Sequence, residues 1–189
     1  MSLQTFQETL VQTSITGTAF NTFTTAKTVI PPICLFQLPP NYLYVGKKFR
    51  TTVTGSLSNI VTTPGTITFQ IMIAAVAAWS SGAIQLNAAA HTTLPFKLVV
   101  DWRVNAIGIT TGATVQGIGT LTGIMFTNTA GQVDSVNGIP SIVVPATAPA
   151  VGTGFDSTIA NTLDFFAGFS ISNVGNQIQL WDYCVEALN

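Results

Sequence analysis

Phe96-Lys97-Leu98-Val99-Val100-Asp101-Trp102-Arg103-Val104-Asn105-Ala106 is the stretch that decides the fold class of this 189-residue chain. Phe96, Leu98, Val100, Trp102, Val104 and Ala106 fall on one side of a two-residue period; Lys97, Val99, Asp101, Arg103 and Asn105 fall on the other. Such alternation belongs to a strand that lays one face on a core and turns the other to water or a partner. The period recurs upstream, where Phe49, Val53 and Leu57 oppose Arg50, Thr52, Thr54 and Ser56. It recurs again where Ile67, Phe69, Ile71 and Ile73 oppose Thr66, Thr68, Gln70 and Met72. Leu163, Phe165, Ala167 and Phe169 give a fourth strand, and Ile178 and Leu180, set between glutamines, open a fifth.

The punctuation agrees. Thr63-Pro64-Gly65 and Asn173-Val174-Gly175-Asn176 separate consecutive strands with residues that supply tight-turn φ values. Further strands are predicted at Val11–Ala19, Ile33–Leu38 and Val115–Phe126. Gly112, Gly117, Gly119 and Gly123, in and just before the last of these, indicate bulges or close backbone packing. Helix signals are thin. Ala74–Trp79 reads as one helical turn stopped by Ser80-Ser81-Gly82, and Asp156–Asn161 as one capped turn. Gly131–Gly154, rich in Gly, Pro and small residues, reads as a long excursion with at most a short strand. About eight major strands with little helix predict an all-β protein, an antiparallel β-sandwich of jelly-roll (Greek-key) type. Residues 1–30 are read as an N-terminal arm or first strand, and residues 31–189 as the sandwich domain.

Thirteen charged residues are few for such a domain, and none lies between Arg50 and Lys97 or between Arg103 and Asp134. About a quarter of an ordinary soluble domain is charged. Much of this exterior must therefore be Thr, Ser, Asn and Gln, or be covered by other subunits. A net charge of −1 offers no basic face for nucleic acid. Lys47, Lys48 and Arg50 form the one basic cluster, and a solvated strand end explains it better than a phosphate-binding patch. Cys34 and Cys184 make neither a disulfide framework nor a metal spacing, and are read as buried free thiols. The polar start at Met1-Ser2-Leu3-Gln4 does not read as a signal peptide. The apolar window Ile67–Ala78 is shorter than the roughly 20 residues of a membrane-spanning helix.

No catalytic pattern emerges. The glycines of Gly117–Gly123 do not match a dinucleotide-binding loop, and Gly46-Lys47-Lys48 lacks the rest of a phosphate loop. His91 is the single histidine and sits among small residues, with no nucleophile elbow elsewhere. Asp156 with Asp164, or Asp182 with Glu186, would be the carboxylate pairs for glycoside hydrolysis, but turn capping and edge solubility explain Asp156 and Asp182 more simply. No metal or organic cofactor is implied. Trp102 falls on a core series. Trp181 and Tyr183 share a face with Gln177 and Gln179, opposite Ile178 and Leu180, which predicts an exposed aromatic pair and marks both as interface candidates. Lys47, Lys48 and Arg50 are the remaining interface candidates.

Four stretches carry a resemblance. They are Leu38-Pro39-Pro40-Asn41-Tyr42-Leu43-Tyr44-Val45-Gly46-Lys47-Lys48-Phe49-Arg50, Thr63-Pro64-Gly65-Thr66-Ile67-Thr68-Phe69, Asp156–Asp164, and the terminal Val185-Glu186-Ala187-Leu188-Asn189. In this order they resemble a family of small jelly-roll virion proteins of tailed bacteriophages, over most of residues 10–189. The resemblance implies a capsid decoration or minor structural protein, often trimeric, with no enzyme activity. Its implied partners are further copies of the chain and the major capsid protein or other virion proteins. Its implied location is the virion, assembled in the host cytoplasm. The Ala-rich stretch Ala74–Ala90 departs from the family's small-residue middle. A tail-associated receptor-binding module that recognises glycan through loop aromatics such as Trp79 is the alternative expectation.

Overall fold

A computed structural model describes residues 7–60, 63–126, 141–147 and 151–188. The strands, in chain order, are β1 (Gln7–Gln12), β2 (Phe20–Asn21), β3 (Lys27–Thr28), β4 (Phe36–Leu38), β5 (Lys48–Asn59), β6 (Thr66–Ile73) and β7 (Val76–Ser80). They continue with β8 (Ile84–Gln85), β9 (His91–Ala106), β10 (Thr114–Thr122), β11 (Ser141–Val144), β12 (Asn161–Phe169) and β13 (Gln177–Leu188). A three-residue 3-10 turn at Pro32–Cys34 is the one helical element among the described residues.

All pairings are antiparallel, and they form two sheets. The larger runs β1-β13-β5-β9-β10-β11, with β2 also on β13; the smaller runs β3-β12-β6-β7, with β4 on β12 and β8 on β6. In the larger sheet the first, eighth, third and sixth of the principal strands lie side by side as β1, β13, β5 and β9. In the smaller sheet the second, seventh, fourth and fifth do so as β3/β4, β12, β6 and β7. That interleaving is the jelly roll, with β10 and β11 added beyond β9. Of the two readings of the first thirty residues, a paired strand describes Gln7–Gln12, which hydrogen-bonds along β13 from Cys184 to Leu188.

The alternation read from sequence orients the strands. Phe49, Val53, Leu57, Phe96, Leu98, Val100 and Trp102 point inward from the larger sheet, and Ile67, Phe69, Ile71, Leu163 and Phe165 from the smaller, all almost fully buried. Aromatic contacts bridge the layers. Phe69 stacks on Phe96 of the facing sheet at 5.6 Å and on Phe165 of its own sheet at 5.9 Å, and Phe165 meets Tyr183 across the layers at 6.0 Å. Each such pair contributes about 0.5–1.5 kcal/mol beyond its burial. Trp102 lies on Phe49 at 4.2 Å and donates its indole N–H to Thr51 Oγ1. Gly117 sits opposite Trp102, and a Cβ there would come within 2.7 Å of the Trp102 Cβ. The glycines of β10 thus serve packing, as their sequence pattern indicated.

One local expectation is corrected. Ala74–Trp79 is not a helical turn: Ala74 and Ala75 hold φ of 54° and 62° and close a two-residue hairpin between β6 and β7. Positive φ at both central positions suits the right-handed strand twist, and here two alanines adopt it without a glycine. Gly131–Gly154 holds one short strand among its described residues, as expected: β11, which pairs with the end of β10. Residues 131–140 and 148–150 of that excursion lie outside the described residues.

Candidate functional site

The predicted aromatic pair does not form, and the reason is one residue. β13 pairs with β5 in register up to Leu180↔Gly55, resumes at Asp182↔Thr54, and bulges at Trp181 between them. An inserted residue moves every later side chain to the other face. Trp181 stands 42% exposed on the outer face, as simple alternation places it, while the bulge turns Tyr183 into the core at 0%. Gly55 makes the bulge possible, since a Cβ there would lie 2.3 Å from the Gln179 carbonyl oxygen. Burial holds the Tyr183 phenol far above its usual pKa, and its hydroxyl has no hydrogen-bond partner. Trp181 keeps its place as an interface candidate, and Tyr183 becomes a core residue.

Lys47 is corrected as well. It is 5% exposed, with its ammonium 3.3 Å from the centre of the Tyr42 ring and bonded to the Tyr42 carbonyl oxygen. Desolvation lowers its pKa, and Glu8 partly offsets the shift. The Tyr42 hydroxyl donates to Glu8 Oε2 at 2.7 Å, so Lys47 belongs to a network that ties β1 to the loop before β5. Lys48 and Arg50 do reach the outer face. Arg50 is fully engaged there, with Nε and Nη2 on the two oxygens of Asp101 at 2.7 and 3.1 Å.

The remaining sequence candidates fall to structural roles. Trp79 is 3% exposed in β7 and donates its indole N–H to the Gly117 carbonyl, so it is not a loop aromatic. Asp156 accepts from the backbone and hydroxyl of Thr158, which caps its turn and depresses its pKa. Asp182 accepts from Thr13 Oγ1, and Glu186 from the Gln7 amide. Cys34 is buried, Cys184 is half-buried, and both are free thiols. Among the described residues no group of three or more His, Cys, Asp and Glu could hold a metal ion. Among the described residues no helix is long and apolar enough to cross a membrane.

Two surfaces were hidden from the sequence reading. The first is one end of the sandwich. There the loop before β5, the β6–β7 hairpin, the segment after β9 and the approach to β12 converge. Asn41 N–H binds the Ser157 carbonyl at 3.0 Å, Ser157 N–H binds the Gly108 carbonyl at 2.9 Å, and Ala74 N–H binds the Thr162 carbonyl at 3.2 Å. Gly46 N–H bonds the Val104 carbonyl at 2.9 Å and completes the assembly. Onto this end project Tyr44, Val45, Ile107, Ile109 and Ile159, with Val45 60% and Ile109 71% exposed. The only charged residues in these loops are the inward-turned Lys47 and the capping Asp156.

The second surface is the outer face of the larger sheet. It carries Lys48, Arg50, Lys97, Asp101, Arg103 and Glu186, a large share of the chain's few charges. Beside Trp181 runs a groove of about 520 Å³, walled by Thr54, Pro95, Lys97, Thr122 and Ile124. A second groove of about 460 Å³ lies further along the strands, over Lys48, Arg103 and Gln116.

With this geometry in hand, a scan against protein-family models finds no match, and a search of curated proteins finds no relative.

Proposed function

We propose that this chain is a non-enzymatic structural component of a bacteriophage virion, a jelly-roll subunit that forms a homotrimer and decorates the capsid. The observation that carries the reading is the apolar, almost charge-free loop end. Contiguous exposed apolar side chains mark surfaces that associate, and symmetric closure with copies of the same chain covers them at least cost in specificity. Its mechanism is binding by shape and buried area, with no reacting group. The ordered motifs from Leu38 to Arg50 and from Val185 to Asn189 support the phage assignment, and jelly rolls are a common architecture of capsid proteins. The test is mass spectrometry of purified particles of the encoding phage. The expected result is the chain at a defined copy number, in multiples of three; its absence from purified particles overturns the assignment.

One observation favours a second reading, a tail-associated receptor-binding module. Trp181, on the outer face at the bulge of β13, sets an indole beside Thr54, Thr122 and Lys97 along a groove. An aromatic plate next to hydroxyl and ammonium groups suits a sugar ring, whose C–H face stacks while its hydroxyls bond. Glycan-array binding lost in Trp181→Ala would move the assignment to this reading. Binding unchanged by that substitution would remove it.

A further inference from the structure

The basic run of the sequence is taken apart by the fold, and a different cationic pair is put together. Lys47 turns inward and Arg50 is held by Asp101. Lys48, however, is the direct partner of Arg103 across β5 and β9, and both are exposed on the same outer face. Directly opposite residues of an antiparallel pair have Cβ atoms about 4.5–5.5 Å apart, where like charges repel.

Among the described residues nothing in that row neutralises them. Its outer members are Leu188, opposite Lys48 on β13, and Gln116, opposite Arg103 on β10. Gln116 offers Arg103 only an amide oxygen, Oε1 at 3.3 Å from Nη2. Among the described residues Asp101 is the sole acid lining the groove above this row, and both its oxygens already accept from Arg50. Among the described residues Arg50–Asp101 is the only ion pair. Two cations therefore face each other in a groove of about 460 Å³, with Ile118 and Leu188 as apolar walls.

We propose that Lys48 and Arg103 form a binding site for an oxyanion, a carboxylate or phosphate group borne by a small ligand. The guanidinium of Arg103 presents a planar fork that meets two oxygens at once, and Lys48 adds a point charge from the neighbouring strand. The anion cancels the repulsion between the two, while Ile118 and Leu188 pack against the ligand's carbon portion. Lys97, on the same face but lining the other groove, takes no part.

The experiment titrates the full chain with two probes, inorganic phosphate and glutarate, at low ionic strength, where exposed charges are least screened. The readout is the Arg103 side-chain Nε–Hε resonance, with the melting temperature measured in parallel. At least one probe is expected to shift the resonance saturably and raise the melting temperature. Saturation by phosphate alone identifies a phosphate site, and saturation by glutarate identifies a carboxylate site with an apolar complement. K48Q is expected to weaken that binding by at least about tenfold, as loss of a charge-assisted contact does. R103Q, followed by melting temperature, is expected to do the same, and K97Q to leave affinity unchanged. Without ligand, K48Q and R103Q are expected to melt no lower than the parent chain, since each relieves the repulsion. A non-saturating response to both probes, or equal affinity in K48Q and the parent, overturns the proposal.

Discussion

The outer face of the larger sheet and the loop end at Tyr44, Val45, Ile107, Ile109 and Ile159 meet water in opposite ways. The sheet face carries charge on three adjacent strands, β13, β5 and β9, and ties Arg50 to Asp101 across two of them. The loop end presents branched apolar side chains with scarcely a charge. A chain with thirteen charged residues cannot solvate its whole exterior ionically. The structure places charge on the open face of the larger sheet, where a sheet would otherwise stack on another, and leaves it off the surface proposed for association. The difference teaches that low charge is not spread evenly; it is a map of which surface can stand alone.

The largest expected effect concerns which way β13 faces, on which this division depends. Tyr183→Ala should cost about 3–5 kcal/mol in denaturant unfolding, the range for emptying a large aromatic site in a core. Tyr183→Phe should instead be at least as stable as the parent, because it removes a buried hydroxyl with no partner. A Tyr183→Ala protein as stable as the parent would place this side chain outside and erase the bulge.

Next in size is a change that makes the loop end resemble the sheet face. Val45→Asp with Ile109→Asp should weaken self-association by about 100-fold, the scale of losing central apolar contacts, as read by sedimentation. Its circular dichroism should stay that of the parent. Association that survives both charges would move the contact elsewhere.

Smaller effects sharpen the picture. Ala75→Gly should stabilise the chain by about 1 kcal/mol, since the left-handed conformation costs an alanine about that much and a glycine little; a loss in chemical denaturation would contradict the hairpin. Arg50→Gln should cost less than about 1 kcal/mol, because the ion pair is about half exposed. A larger loss would mean that the face is held together by its charges, not merely solvated by them. Trp181→Ala should remain within about 0.5 kcal/mol of the parent, as befits an exposed side chain.

The particular residues show why some of this was legible in the sequence and some was not. The run Phe96–Ala106 keeps a strict alternation, and the structure buries Phe96, Leu98, Val100, Trp102 and Val104 as it predicts. Period-two reading fails beyond Trp181, at Tyr183, because a bulge adds one residue without any chemical signature in β13 itself; the nearest cue is Gly55, on the partner strand. Alanine's helix preference misleads at Ala74-Ala75, where strand pairing on both sides imposes the turn. Lys47 and Lys48 look alike in sequence, yet the Tyr42 ring captures one and the pleat exposes the other. The pairing of Lys48 with Arg103 and the convergence of the loop end depend on strand order, which no local pattern encodes.

The most direct test of the central claim is the solution mass of the chain by light scattering at high and low concentration, beside the Val45→Asp/Ile109→Asp variant. The account predicts a concentration-independent trimer for the parent and a folded monomer for the variant. A parent chain that is a stable monomer at every concentration would contradict it, because the apolar end would then stand in water with nothing to cover it.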